Sequence, residues 1–205
     1  MIAILDYGVG NVSSIANMLK KIGVDCMLTN GIDEIKRAEK IILPGVGHFD
    51  FCMEQLQKTA FYETFIKEVR EHMKPVMGIC VGCQMLMESS EEGNRKGLGW
   101  IKGKVIKFNK EKMPAQYTIP HMAWTDVLSI NGAALYDGIQ EPRFYFAHSY
   151  HVVCDDKKNE TATANYGYDF AASVREGNIT GVQFHPEKSH SFGMQLMANF
   201  AKSGN

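Results

Sequence analysis

Four short apolar runs punctuate the first eighty residues: Ile2 to Leu5, Cys26 to Leu28, Ile41 to Leu43 and Pro75 to Ile79. Runs this short read as buried strands. Between them Val12, Ile15, Ala16, Leu19 and Ile22 recur at helical spacing, and Leu56, Phe61, Phe65, Val69 and Met73 stripe one face of a further helix. Strands that alternate with helices predict a parallel sheet, because parallel neighbours need crossover connections and the crossover helices cover both sheet faces. The second half changes character. Lys104 to Phe108, Thr125 to Leu128, Arg143 to Phe146, Val152 to Cys154, Ala171 to Val174 and Thr180 to Phe184 read as strands separated by polar turns, and Phe192, Leu196 and Phe200 close the chain as a helix. No repeat, low-complexity tract or linker divides the 205 residues, of which 45% are hydrophobic. One domain over 1–205 is expected, with both halves sharing one sheet system.

Net charge is -1 and no block of like charge stands out. That leaves no electrostatic footprint for nucleic acid or an anionic membrane, so small molecules and protein partners are the expected ligands. Met1-Ile2-Ala3-Ile4-Leu5-Asp6 reads as a first strand and not as a signal peptide, and no run reaches membrane-spanning length. The cysteines at 26, 52, 80, 83 and 154 form an odd, scattered set. A reducing cytoplasm with free thiols is expected.

Gly78-Ile79-Cys80-Val81-Gly82 ends the fourth apolar run and leads into Gln84-Met85-Leu86-Met87, a good helical start. A nucleophile at a strand, sharp turn and helix junction projects from the carboxyl end of a sheet, and flanking glycines relieve the crowding there. A helix starting behind it offers free N–H groups and the positive end of its dipole, which favour a thiolate and an oxyanion. The other cysteines read as buried apolar residues. Val182-Gln183-Phe184-His185-Pro186-Glu187 supplies what a cysteine nucleophile needs: a base where a strand ends, and a carboxylate two residues on to hold it in one tautomer. Two rivals use some of the same residues. Cys80-Val81-Gly82-Cys83 is a C-x-x-C resembling a redox pair, but that reading leaves His185 and Glu187 idle. A zinc site lacks a second ligand pair, so no metal or cofactor is expected. His48, His72 and His190 show no partner pattern and read as surface or hydrogen-bonded histidines.

Gly78-Ile79-Cys80-Val81-Gly82-Cys83-Gln84 and Gly181-Val182-Gln183-Phe184-His185-Pro186-Glu187 resemble the two signatures of triad-type, class I glutamine amidotransferases. Within that family, Asp6 to Asn11, Leu43 to Gly47, Ile119 to Met122 and Tyr145 to Tyr150 look like the glutaminase subunits of imidazole glycerol phosphate synthase. The resemblance runs nearly end to end. It implies a three-layer, flavodoxin-like sandwich with a mostly parallel central sheet and a more β-rich C-terminal half. Glutamine is the implied substrate, with Cys80, His185 and Glu187 as the triad. Oxyanion donors are expected from Val81 and from the Val46-Gly47 turn, and glutamine contacts from Gln84, Glu92, His148, Ser149 and Tyr150. The implied partner is a (β/α)₈-barrel synthase docked near Asn11, Tyr145 and Lys188, with the ammonia feeding histidine biosynthesis.

Three departures from the family pattern spare the triad. Ala123-Trp124-Thr125 stands where Gly-Trp-Asn is usual, Cys83 stands where Met is usual, and Lys188 to Gly193 looks somewhat like paralogues that supply ammonia for nucleotide-sugar amidation in surface-polysaccharide synthesis. That acceptor is the alternative to histidine biosynthesis. A stand-alone cysteine hydrolase or peptidase is the alternative of another class.

Overall fold

The computed structural model describes residues 1–130 and 133–203. Twelve strands are found among them: β1 (Ile2–Leu5), β2 (Cys26–Thr29), β3 (Lys40–Gly45), β4 (Val76–Cys80), β5 (Ser89–Ser90), β6 (Gly103–Lys107), β7 (His121–Ser129), β8 (Arg143–His148), β9 (Tyr150–Cys154), β10 (Glu160–Asn165), β11 (Asp169–Glu176) and β12 (Ile179–Val182). The helices are α1 (Val12–Lys21), α2 (Ile32–Arg37), α3 (Phe49–Gln57), α4 (Tyr62–Arg70), α5 (Val81–Gln84) and α6 (His190–Lys202).

One nine-stranded mixed sheet runs in the order β2-β1-β3-β4-β12-β11-β10-β7-β8, and β5-β6-β9 form a smaller sheet. The strands from β2 to β12 in that order pair in parallel, whereas β11, β10, β7 and β8 add on antiparallel. Every residue of β1, β3 and β4 is buried. A strand with no polar alternation must be covered on both faces, which is the physical reason for helices on either side. The junction of the two halves is β12 beside β4, with Gly181 opposite Gly78 and Val182 opposite Ile79. This register brings the chain out of β12 at the level where β4 ends in Cys80.

The stripe from Leu56 to Met73, expected as one helix, is two. The Thr59 N–H and hydroxyl both donate to the Leu56 carbonyl, tightening the turn that ends α3, and α4 restarts at Tyr62. Leu56, Phe61, Phe65 and Val69 remain buried, whereas Met73 lies exposed beyond α4 at φ 54°. Two further elements carried too weak a signal to be expected: α2 buries one residue, Ile35, and the buried face of β10 includes Ala162 and Ala164, poor strand formers. β7 is longer than expected and takes in His121.

Lys74 joins two of these helices. Its ammonium donates to the Ile35 and Lys36 carbonyls at 2.7 and 2.8 Å, capping the end of α2, and pairs with Glu68 of α4 at 2.8 Å. Both side chains are over nine-tenths buried. Lys74→Met should lower the urea-unfolding free energy by about 3 kcal/mol. That is the low end for orphaning a buried charge, because His72 still pairs with Glu68.

Candidate active site

Cys80 ends β4 at φ 54°, ψ -110°, a left-handed conformation that costs a non-glycine residue about 1–3 kcal/mol. Close packing holds it there. A Cβ on Gly82 would lie 2.0 Å from the Leu43 carbonyl oxygen, and one on Gly78 would lie 2.5 Å from the Gly82 oxygen. Only glycines let β3, β4 and the turn approach this closely. The helix expected to continue through Met87 stops at Gln84. The carbonyls of Met85, Leu86 and Met87 accept instead from the N–H groups of Leu98, Trp100, Ile101 and Gly99. A single turn carries little dipole, so what stands behind Cys80 is the set of unpaired N–H groups of that first turn.

His185 follows β12 and Glu187 lies in the turn after it. His185 Nδ1 is 2.9 Å from Glu187 Oε1, and the Cys80 sulfur lines the same cavity wall as the ring, near enough to act on its protonation. With Nδ1 committed to the carboxylate, Nε2 is the edge left for the sulfur. Ser189 locks the turn, donating from its hydroxyl to the His185 carbonyl and accepting from the Tyr145 N–H. Burial disfavours the imidazolium, but the interactions with Cys80 and Glu187 outweigh it and push the His185 pKa up to about 10. Both partners thus favour the protonated ring. Gln183, fully buried, points its amide nitrogen at the same sulfur from 4.0 Å.

A cavity of about 350 Å³ opens beside Cys80, within the range of about 300–1,000 Å³ usual for small-ligand sites. The residues expected for oxyanion and substrate contacts all line it: Val46, Gly47 and Val81, then Gln84 and Glu92, then His148, Ser149 and Tyr150. Gly47 has φ 100°, open to glycine. Glu92, an ordinary solvated charge by sequence alone, accepts from the Phe49 N–H at 2.8 Å and so tethers the start of α3 to the cavity wall. Pro120, Met122 and Ala147 also line the cavity and had been given no role. Pro120 and Met122 belong to a motif noted in the sequence, but no charge or spacing marks them.

Of the candidate contact residues, Lys188 holds its ammonium 5.8 Å from the Tyr145 ring centre. Trp124 meets Tyr145 edge-on at 6.2 Å and stacks on His190 at 5.4 Å. Asn11 precedes α1, which packs against the Pro186–Lys188 turn. His48 caps α3 by accepting from the Asp50 N–H, and His72 pairs with Glu68. Cys83 is fully buried, its sulfur packed against β12 so tightly that a Cβ on Gly181 would come within 2.5 Å. Burial pushes its thiol well up, which removes the thiolate character a redox partner needs.

The chain that carries this cysteine elbow, buried imidazole and carboxylate matches the family model of class I glutamine amidotransferases over residues 3–203. The chain belongs to this family. Among its relatives, "Imidazole glycerol phosphate synthase subunit HisH 2" of Methanococcus maripaludis is 50% identical over 98% of this chain and 99% of its own. The subunit HisH of Leptospira borgpetersenii is 46% identical, and HisH 2 of Pseudomonas aeruginosa 44%, both at 98% and 99% coverage. In fold, the chain is similar to a glutamine amidotransferase crystal structure (TM-score 0.75, 16% identity, 97% of this chain and 96% of that one). It is similar also to PurLQS from Thermotoga maritima (TM-score 0.72, 21% identity, 97% and 96%).

The His185 proton can be followed directly. Cys80→Ala removes one of the two groups that raise its pKa, so an NMR titration should find the imidazole pKa well below about 10 in the variant. The sign for stability follows: a folded value above the unfolded ~6.5 adds stability that is complete below pH ~6.5 and lost as pH rises through about 10. The variant should therefore show a flatter stability profile across that window.

Proposed function

We propose that the chain hydrolyses glutamine at Cys80 and delivers the ammonia to a separate synthase subunit. The observation that carries this reading is the His185 ring on the same cavity wall as Cys80, with Glu187 2.9 Å from its Nδ1. Cys80 attacks the side-chain amide carbon, and the imidazolium of His185 protonates the departing ammonia. Acylation removes the sulfur as a partner that favours the charged ring. One of the two interactions that keep His185 protonated is gone, and the neutral ring becomes a base able to activate the hydrolytic water. Glu187 keeps Nδ1–H in place through both steps. The oxyanion formed in each step is held by the Val81 N–H and by the Val46-Gly47 turn, whose glycine permits the peptide orientation a donor requires. Gln84, Glu92 and the His148-Ser149-Tyr150 segment hold the glutamine.

The acceptor belongs to a partner. Protonated ammonia is not nucleophilic, so transfer favours a sealed path from the cavity into a docked (β/α)₈-barrel synthase. The Tyr145, Lys188 and Asn11 face is its docking surface, with Trp124 and His190 part of it. Imidazole glycerol phosphate synthesis, in a cytoplasmic histidine pathway, is the acceptor reaction favoured by the named relatives.

Incubation with 6-diazo-5-oxonorleucine, a glutamine-analogue electrophile, should label Cys80 alone, as read by peptide mass mapping; labelling at another cysteine would remove the proposal. Cys80→Ala should cut glutaminase turnover by at least about 10³-fold. Stimulation of turnover by a co-purified barrel subunit, lost on Lys188→Ala or Tyr145→Ala, tests the docking face. Equal turnover with and without that subunit counts against the coupling.

A further inference from the structure

Behind the cavity wall, apart from the triad, polar side chains stand in series. The Thr125 hydroxyl is 2.8 Å from His121 Nε2, His121 Nδ1 is 3.1 Å from His148 Nε2, and His148 Nδ1 is 2.7 Å from the Tyr150 carbonyl oxygen. That carbonyl also accepts from Gln84 Nε2 at 3.0 Å, and the same amide nitrogen lies 3.2 Å from Gln183 Oε1. Burial favours the neutral form of both imidazoles, lowering His121 to about 4 and, together with His121, lowering His148 well below its ordinary value.

Neutral rings leave one way to place the protons. A carbonyl only accepts, so His148 carries its proton on Nδ1 and presents a lone pair at Nε2. His121 must then donate from Nδ1, which leaves its own Nε2 as an acceptor, and the Thr125 hydroxyl must supply the donor. Stacking on Tyr166, at 3.8 Å, and Phe146, at 5.0 Å, resists a flip of the His121 ring out of its plane.

We propose that Thr125, His121 and His148 are positioning residues that fix the Tyr150 carbonyl and the Gln84 amide at the substrate cavity, with the Thr125 hydroxyl setting the direction of the whole series. The proposal rests on the glutaminase reading above. Without the hydroxyl, His121 Nε2 is a partly buried acceptor lacking its donor. A proton moved to Nε2 would find no acceptor there and would set Nδ1 against His148 Nε2 lone pair to lone pair, so the orphaned nitrogen is relieved only by displacing the ring in its plane toward another donor. His148 must shift or change tautomer in turn, and either change releases the Tyr150 carbonyl. A substitution in β7, away from the nucleophile, thus reaches the cavity by donor and acceptor matching alone.

The test compares Thr125→Val, which keeps shape and loses the donor, with Thr125→Ser, which keeps it, both in the full chain. Inactivation kinetics with 6-diazo-5-oxonorleucine separate binding from chemistry, and alkylation by iodoacetamide reports the Cys80 thiol without using the glutamine cavity. Thr125→Val should weaken analogue binding about tenfold with maximal inactivation and alkylation rates nearly unchanged, and Thr125→Ser should restore binding. In ¹⁵N NMR spectra of the unsubstituted protein, His121 and His148 should both carry their proton on Nδ1. Unchanged binding in Thr125→Val, equal loss in both variants, an alkylation rate that falls with binding, or an Nε2 proton on either ring would overturn the proposal. A different failure marks the underlying reading: unsubstituted protein that iodoacetamide alkylates at Cys80 but the glutamine analogue does not.

Discussion

The parallel pairing of β12 with β4 is the constraint on which the site depends. It sets Val182 against Ile79, so the chain leaves one strand where the other ends, and His185 arrives beside Cys80 although about a hundred residues separate them. Side chains alternate faces along a strand, and a slip of one residue would turn Gln183 away from the sulfur. Glycines protect the register. Gly181 leaves room for the Cys83 sulfur, and Gly78 and Gly82 allow the turn to fold onto β3. The strain stored at Cys80 persists because those contacts leave the backbone nowhere else to go.

Burial acts on three histidines of this region with opposite outcomes. His121 and His148 have only neutral or like-charged neighbours in hydrogen-bonding reach, so desolvation lowers them and they serve as fixed, uncharged donors and acceptors. His185 is buried as well, yet the sulfur and the Glu187 carboxylate reverse the sign. The difference lies in the partners and not in depth. One environment thus holds a ring whose partners favour its charged form and, behind the cavity wall, two rings whose surroundings favour the neutral form.

The strand and helix alternation of the first half was readable because parallel strands covered on both faces are continuously apolar. Leu56 to Met73 misled because helical spacing survives across a tight turn when the same face stays buried on both sides of it. β10 escaped notice because the alanines on its buried face carry little strand signal, and α2 because one buried isoleucine makes no stripe. The elbow was legible from its glycines and its position after an apolar run. Its short helix was not, since the carbonyls that end it are claimed by residues 98–101 from a loop with no pattern of its own.

The sequence by itself marked Cys80 at its strand-end turn, the His-x-Glu pair and the family, because those depend on residue identity and local spacing. Tertiary structure decided what the identities do together. It set His185 between two partners that raise its pKa against the effect of burial, gave Glu92 a backbone amide to hold, and aligned Thr125, His121 and His148 across two paired strands. Those outcomes depend on which atoms meet at about 3 Å after folding, and hydrogen bonding at that range is set by strand register, which no local pattern of residues encodes.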